Sequence, residues 1–285
     1  MQERVLSQRL LIFSTDASQW ECPTTIFNDV SADDEVGALK AGSIPSTSDL
    51  SLDRWDSIVN AYSHRSITYE TDKLPAFSGI IQVLEKRYKD KCIVGVWQRD
   101  YHISLLWMVD HSQRYAKKIA KRPNAWRAPS WSFLSLEARV EYLNIASAEG
   151  GRPVGEAKAW QVDPLNMRNP HGELQGGYLM INAPMIELPV APSEMSHELV
   201  SLFELDGRLL RVTVYWDIEQ IIPCWILAVI NLAGLLVVPT GTAPNEYRRV
   251  GVATFYHDDS LDHMGRLIGG LKNEDFPTAS LVKLV

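Results

Sequence analysis

Cysteine is scarce: Cys22, Cys92 and Cys224 are the only three in 285 residues. They are odd in number, far apart and without a CxxC pair, which excludes a disulfide framework and a cysteine zinc site and predicts reduced thiols in the cytoplasm. Basic runs are equally scarce. A net charge of -7 and a pI near 5.5 exclude sequence-independent binding of nucleic acid or of an anionic membrane, since both need a clustered positive field. Lys117, Lys118, Lys121 and Arg122 form one local basic patch, read as a solvated helix face. The sequence also lacks a Walker A loop, a GxGxxG turn after a strand, a GxSxG elbow and an HExxH helix, so no cofactor is expected and the usual hydrolase nucleophile has no signature. The first residues mix charge into their apolar positions and offer no signal-peptide core. One apolar run, Ile221 to Val238, just reaches the length of a membrane span. Pro223, Asn231 and Gly234 interrupt it, and its Ile, Val and Trp content predicts two buried β-strands joined by a turn, with no membrane span.

What is present is an ordinary globular composition, 46% hydrophobic and 22% charged, long enough for one or two domains. Arg9 to Phe13 and Ser18 to Cys22 read as a hairpin around Thr15 and Asp16. From Pro23 to Asp49 periodicity gives way to Asp, Ser, Gly and Pro, the pattern of a long surface loop. Ser51 can cap a helix whose Trp55, Ile58, Val59 and Tyr62 form one apolar stripe. A second helix starts at Pro75 and buries Phe77, Ile80, Ile81 and Leu84, with Asp72 as its cap and the two stripes packed together. A third helical stretch is expected over Ile103 to Val109. After Pro129 the pattern turns to strands: Trp131 to Leu136, Arg139 to Leu143, Tyr178 to Ile181, Leu199 to Leu205, Leu209 to Trp216, Cys224 to Ile230, Leu235 to Val238 and Val250 to Tyr256. Helices segregated before strands predict an α+β fold with a mainly antiparallel β-sheet or sandwich. Residues 1–135 are expected to form a hairpin and helical region and 136–285 a mainly β region packed on it, or the two to make one continuous domain.

Several motifs follow one another in order, Gln2 to Arg9, Trp20-Glu21-Cys22, Asp72 to Gly79, Arg127 to Ser132 and Glu246 to Gly251 among them, and this series resembles the fungal heterokaryon-incompatibility (HET) proteins. Gln2-Glu3-Arg4-Val5-Leu6-Ser7-Gln8-Arg9, then Phe13 and Trp20-Glu21-Cys22, are similar to the closing segment of the HET domain. Trp55, Ile58-Val59, Tyr62-Ser63, Arg65, Thr68 and Asp72 to Gly79 resemble the stretch that follows it. Gly95-Val96-Trp97, Leu105-Leu106-Trp107, Arg127 to Ser132 and Glu246 to Gly251 continue the series. On this resemblance Met1 stands almost at the end of the HET domain, so the upstream half tied to incompatibility and cell-death signalling has no counterpart here. Phe133 to Leu136 depart from the family text. The resemblance implies that Glu3, Arg4 and Arg9, and similarly Arg65, belong to inherited ion-pair networks.

Two readings of function follow. Trp97, Trp107, Trp126 and Trp131 occur close in sequence with Arg99, Tyr101, His102 and Ser130, and a few polar donors among aromatic walls is the usual makeup of a small-molecule pocket. A shortened HET-like protein could there hold an apolar, terpene-like substrate of secondary metabolism for a cofactor-independent cyclisation or isomerisation of Diels-Alder type. Trp97, Trp107, Trp131, Trp126 and Ser130 would bind it, and His102, Arg99 or Tyr101 would polarise a carbonyl. The alternative is a non-enzymatic interaction module with a HET-type protein partner, which predicts an exposed apolar patch instead. The cluster His257-Asp258-Asp259 with Asp262 and His263 mixes metal-ligand types but reads as a polar loop, so no metal is expected.

Overall fold

The computed structural model describes residues 9–13, 18–22, 25–28, 55–65, 67–110, 120–143, 151–188, 198–205, 208–219, 221, 223–257 and 271–285. The expected hairpin is present as β1 (Leu10–Phe13) and β2 (Ser18–Cys22), with Leu11 opposite Trp20. A third strand, β3 (Thr25–Asn28), extends it and sets Phe27 opposite Trp20. The stretch read as loop from Pro23 therefore begins with a strand: Thr, Ile and Phe favour pleated backbone, and β2 offers its free edge. Residues 29–54, with the predicted Ser51 cap, lie outside the described residues, as do Glu3 and Arg4. Arg9 is exposed rather than part of a buried ion-pair network.

The two amphipathic helices are α1 (Trp55–Ser63) and α2 (Pro75–Tyr88), and each buries the stripe its spacing predicted. The stripes meet as expected, with the Tyr62 and Phe77 rings 4.5 Å apart and those of Trp55 and Phe77 5.6 Å apart. Asp72 is not the cap of α2. It is exposed in a 3-10 turn (Glu70–Lys73), and the chain enters the helix through Leu74, whose carbonyl accepts from Phe77 and Ser78. Its neighbour Lys73 is buried, donating to the Leu136 carbonyl and pairing with Glu137 at 3.5 Å.

β4 (Cys92–Ile93) and β5 (Val96–Trp97) make a tight hairpin whose turn residues, Val94 and Gly95, both have positive φ (47° and 87°). The third helix is only one turn, α3 (Tyr101–Ser104), and Trp107–Val109 forms β6, paired with β7 (Val140–Tyr142). Leu105, Leu106 and Trp107 are buried, so this run carries no helical phase, and the free edge of β7 decides its state. Trp131 to Leu136 likewise form turns and a 3-10 segment (Phe133–Ser135) rather than a strand. Arg127 holds this loop by donating to the carbonyls of Leu134 (2.8 Å) and Leu136 (3.2 Å), while Ser132 Oγ accepts from the Leu134 N–H at 3.1 Å. Lys121 sits in a bridge with Glu137 instead of on a helix face.

The remaining strands are β8 (Glu156–Pro164), β9 (Leu174–Ala183), β10 (Met185–Leu188), β11 (Glu198–Leu205), β12 (Arg208–Trp216), β13 (Cys224–Ile230), β14 (Ala233–Pro239), β15 (Glu246–His257) and β16 (Ser280–Leu284). They form one sheet in the order β10-β13-β14-β15-β16-β9-β8, with β12 on β15 and β11 outside it. All pairings are antiparallel except the short β15-β16 contact. The architecture is therefore α+β with a mainly antiparallel sheet. Because β9 pairs with β16 while its continuation through Pro184, β10, pairs with β13, the sheet curls back on itself.

The run from Ile221 to Val238 is the predicted pair of buried strands. On β13 and β14, Leu227, Val229, Leu235 and Val237 face the core shared with α1 and α2, while Cys224, Ile226, Leu236 and Val238 face a second core with β10 and β12. Burial on both faces explains a near-continuous apolar run. The polar break is a buried turn in which Asn231 Oδ1 accepts from the Arg152 N–H at 2.8 Å.

Candidate functional site

Trp97, Trp107 and Trp131 are at most 2% exposed and belong to the core shared with the helices. Trp97 packs edge-on against Trp55 at 5.3 Å. Trp107 donates its indole N–H to the Trp131 carbonyl at 2.9 Å, and the Arg249 guanidinium lies 3.3 Å above its ring. Trp131 meets Trp160 of β8 edge-on at 5.6 Å. The three indoles thus have three different partners, and their rings are occupied by packing.

The polar candidates are mostly engaged with backbone. Ser130 Oγ donates to the Val285 carbonyl and accepts from the Arg249 N–H at 2.9 Å. Tyr101 donates its hydroxyl to the Gly155 carbonyl at 2.7 Å. His102 is half-buried beside the Tyr101 ring; burial lowers its pKa, partly offset by Asp100. Arg99 is exposed, and Trp126 is 50% exposed. The structure therefore brings Tyr101, His102 and Trp131 into one aromatic chain through Trp160, which the sequence did not single out, and leaves Trp97, Trp107, Arg99 and Trp126 outside it.

Among the described residues Arg249 is one of the most heavily engaged side chains. It is fully buried and forks onto Asp217 through Nε–Oδ2 (3.2 Å) and Nη2–Oδ1 (3.1 Å). It also donates to the carbonyls of Leu105 (2.7 Å) and Trp107. Arg249 thereby ties β15 to the loop between α3 and β6, and burial lowers its pKa. A polar arginine inside an otherwise apolar strand pattern was the signal available for it.

Exposed apolar side chains lie elsewhere, among them Leu165 (62%) and Met167 (81%) after β8 and a group on the N-terminal sheet. Leu11 (51%), Phe13 (75%) and Trp20 (37%) lie on one face of the β1–β3 sheet, Leu11 directly opposite Trp20 and Phe13 two residues along. Among the described residues no three His, Cys, Asp or Glu side chains gather to hold a metal. The His257 cluster falls outside what is described, its side chain and residues 258–270 alike. Among the described residues no helix is long and apolar enough to cross a membrane. No family model, no curated protein and no solved structure matches the chain.

Proposed function

We propose that this chain is a non-enzymatic interaction module of the HET type, binding a HET-type protein through the face of Leu11, Phe13 and Trp20. That exposed face is the observation that carries the reading. An antiparallel sheet ordinarily turns one face to a core, and an aromatic-rich face left to solvent is the usual mark of a docking surface. The HET-type partner is chosen because the text of β1 and β2 resembles the closing segment of a HET domain. Buried free thiols at Cys92 and Cys224 accord with a cytoplasmic setting.

The cyclisation reading retains one supporting observation, the edge-to-face series Trp131, Trp160 and Tyr101 that leads to the half-buried His102. It ranks second because its intended walls, Trp97 and Trp107, are packed into the core.

Native mass spectrometry of the purified protein, alone and mixed with a full-length HET-type protein, tests both. The interaction module predicts a complex that a Trp20→Ser, Phe13→Ser double variant weakens by about 30-fold, the loss of one aromatic hot spot worth about 2 kcal/mol. Absence of a complex, or one indifferent to the double variant, overturns it. An apolar metabolite retained by the protein alone would move the conclusion to the second reading.

A further inference from the structure

Behind the buried Arg249–Asp217 pair the chain forms a second feature, independent of the docking face. A cleft with a cavity volume of about 250 Å³ is bordered by Arg122, Arg248, Ile218, Ile221 and Val250, together with the paired Asp217 and the exposed Glu219. Its lining carries two guanidiniums and two carboxylates, and one of the carboxylates is already paired with Arg249. Both Asp217 oxygens are taken by Arg249. Arg122 spends one nitrogen on the Arg249 carbonyl at 3.1 Å. Among the described residues neither Arg122 nor Arg248 has a carboxylate within ion-pair distance, Glu219 included.

Desolvating guanidiniums is unfavourable unless they are paired, and here two share one exposed carboxylate, Glu219, unpaired among the described residues, and lie beside a third guanidinium. Consistently, burial lowers the pKa of Arg122, and Arg248 and Arg249 lower it further against the pull of Asp217. An anion would relieve that crowding. Two guanidiniums suit a carboxylate or a phosphate equally, but Ile218, Ile221 and Val250 offer an inorganic anion nothing. They suit a carbon skeleton. The volume, about eight waters at ~30 Å³ each, is slightly below the usual range for drug-sized ligands.

We propose that this cleft binds a small carboxylate with an apolar body, its carboxylate held between Arg122 and Arg248 and its carbon skeleton against Ile218, Ile221 and Val250.

Titration calorimetry of the full chain with benzoate tests this, with inorganic phosphate and acetate as comparisons. Benzoate is expected to bind at least tenfold more tightly than either, because only it uses both walls. Arg248→Gln, at a half-buried position outside the Arg249 network, should weaken benzoate at least tenfold with an unchanged melting temperature. Ile221→Ser should erase the preference for benzoate over acetate. No heat with benzoate up to about 10 mM, where even a weak millimolar site would respond, overturns the proposal. So does unchanged affinity in Arg248→Gln, and so does phosphate binding as tightly as benzoate, which would leave the apolar wall without a role.

Discussion

Replacing Arg249 with methionine is expected to destabilise the protein by about 3–5 kcal/mol, the usual cost of leaving one partner of a buried ion pair alone. Asp217 is 2% exposed, so its carboxylate, although it borders the Arg122 cleft, recovers little water once the guanidinium is gone. The substitution also strips donors from the Leu105 and Trp107 carbonyls and removes the cation from the Trp107 ring. Each bare carbonyl costs about 1–3 kcal/mol and the desolvated cation-π contact is worth about 2. These losses overlap, so the isolated charge sets the floor rather than the sum. Against a typical total of about 5–15 kcal/mol the floor is already a large fraction. Urea unfolding at constant m-value measures it. Adding Asp217→Leu removes the stranded charge and should restore about 1–2 kcal/mol, leaving the deficit of the two carbonyls. A loss below about 1 kcal/mol for Arg249→Met, or no recovery in the double variant, would refute the argument that an uncompensated charge dominates.

Two further perturbations probe other parts of the fold. Gly95→Ala should cost at least about 2 kcal/mol in urea unfolding, since a Cβ there would sit 2.6 Å from the buried Phe133 ring at φ 87°. Gly241→Ala, at φ 78° with nothing within 4 Å, isolates the backbone share and should cost only about 1 kcal/mol; equal losses at the two sites would show that the Phe133 contact is irrelevant. Hydrogen bonds from Lys283, Thr242 and Thr240 pull the Glu246 carboxyl from 4.5 down to about 2. A carboxyl depressed in the folded state stabilises above its unfolded value and loses that contribution as pH falls toward the folded one. The stability difference between wild type and Glu246→Gln should therefore be level above about pH 5 and shrink between 4.5 and about 2; a difference that stays level to the acid end would contradict it.

How much of this was legible in the sequence depended on how many sides of each segment are covered. α1 and α2 bury one side, so their stripes at i, i+3, i+4 and i+7 announced both the helices and their mutual packing. β13 and β14 are buried on both faces, which erases alternation, but their length and β-branched content still identified them. The segment from Leu105 to Val109 is also almost wholly buried, and there length gave no guide, because β6 is three residues long and depends on β7. Trp131 to Leu136 was unreadable for another reason. Its shape is imposed by side-chain to backbone bonds from Arg127 and Ser132, which no periodicity encodes. For the candidate site, closeness in sequence was a poor proxy for convergence: Trp97 went to Trp55, Trp107 to Arg249 and Trp131 to Trp160.

Tryptophan abundance suggested a binding site, yet the environments of the nine indoles divide them sharply. Trp55, Trp97, Trp107, Trp131 and Trp216 are buried, and Trp160 and Trp225 are partly so. Burial of a large apolar side chain contributes about 1.5–3 kcal/mol to folding, which is sufficient reason for those residues without any ligand. Only Trp20 and Trp126 remain exposed enough to contribute the same kind of energy to an association. Trp126 follows the exposed polar Asn124 and small Ala125, and a single exposed aromatic requires no explanation. Trp20 has Leu11 across the strand pair and Phe13 beside it. Three neighbouring apolar side chains on a regular sheet face desolvate together when a partner arrives, so the last increment of surface is removed from water without ordering any new backbone. That is the physical reason for proposing recognition at the small N-terminal sheet rather than in the tryptophan-rich core.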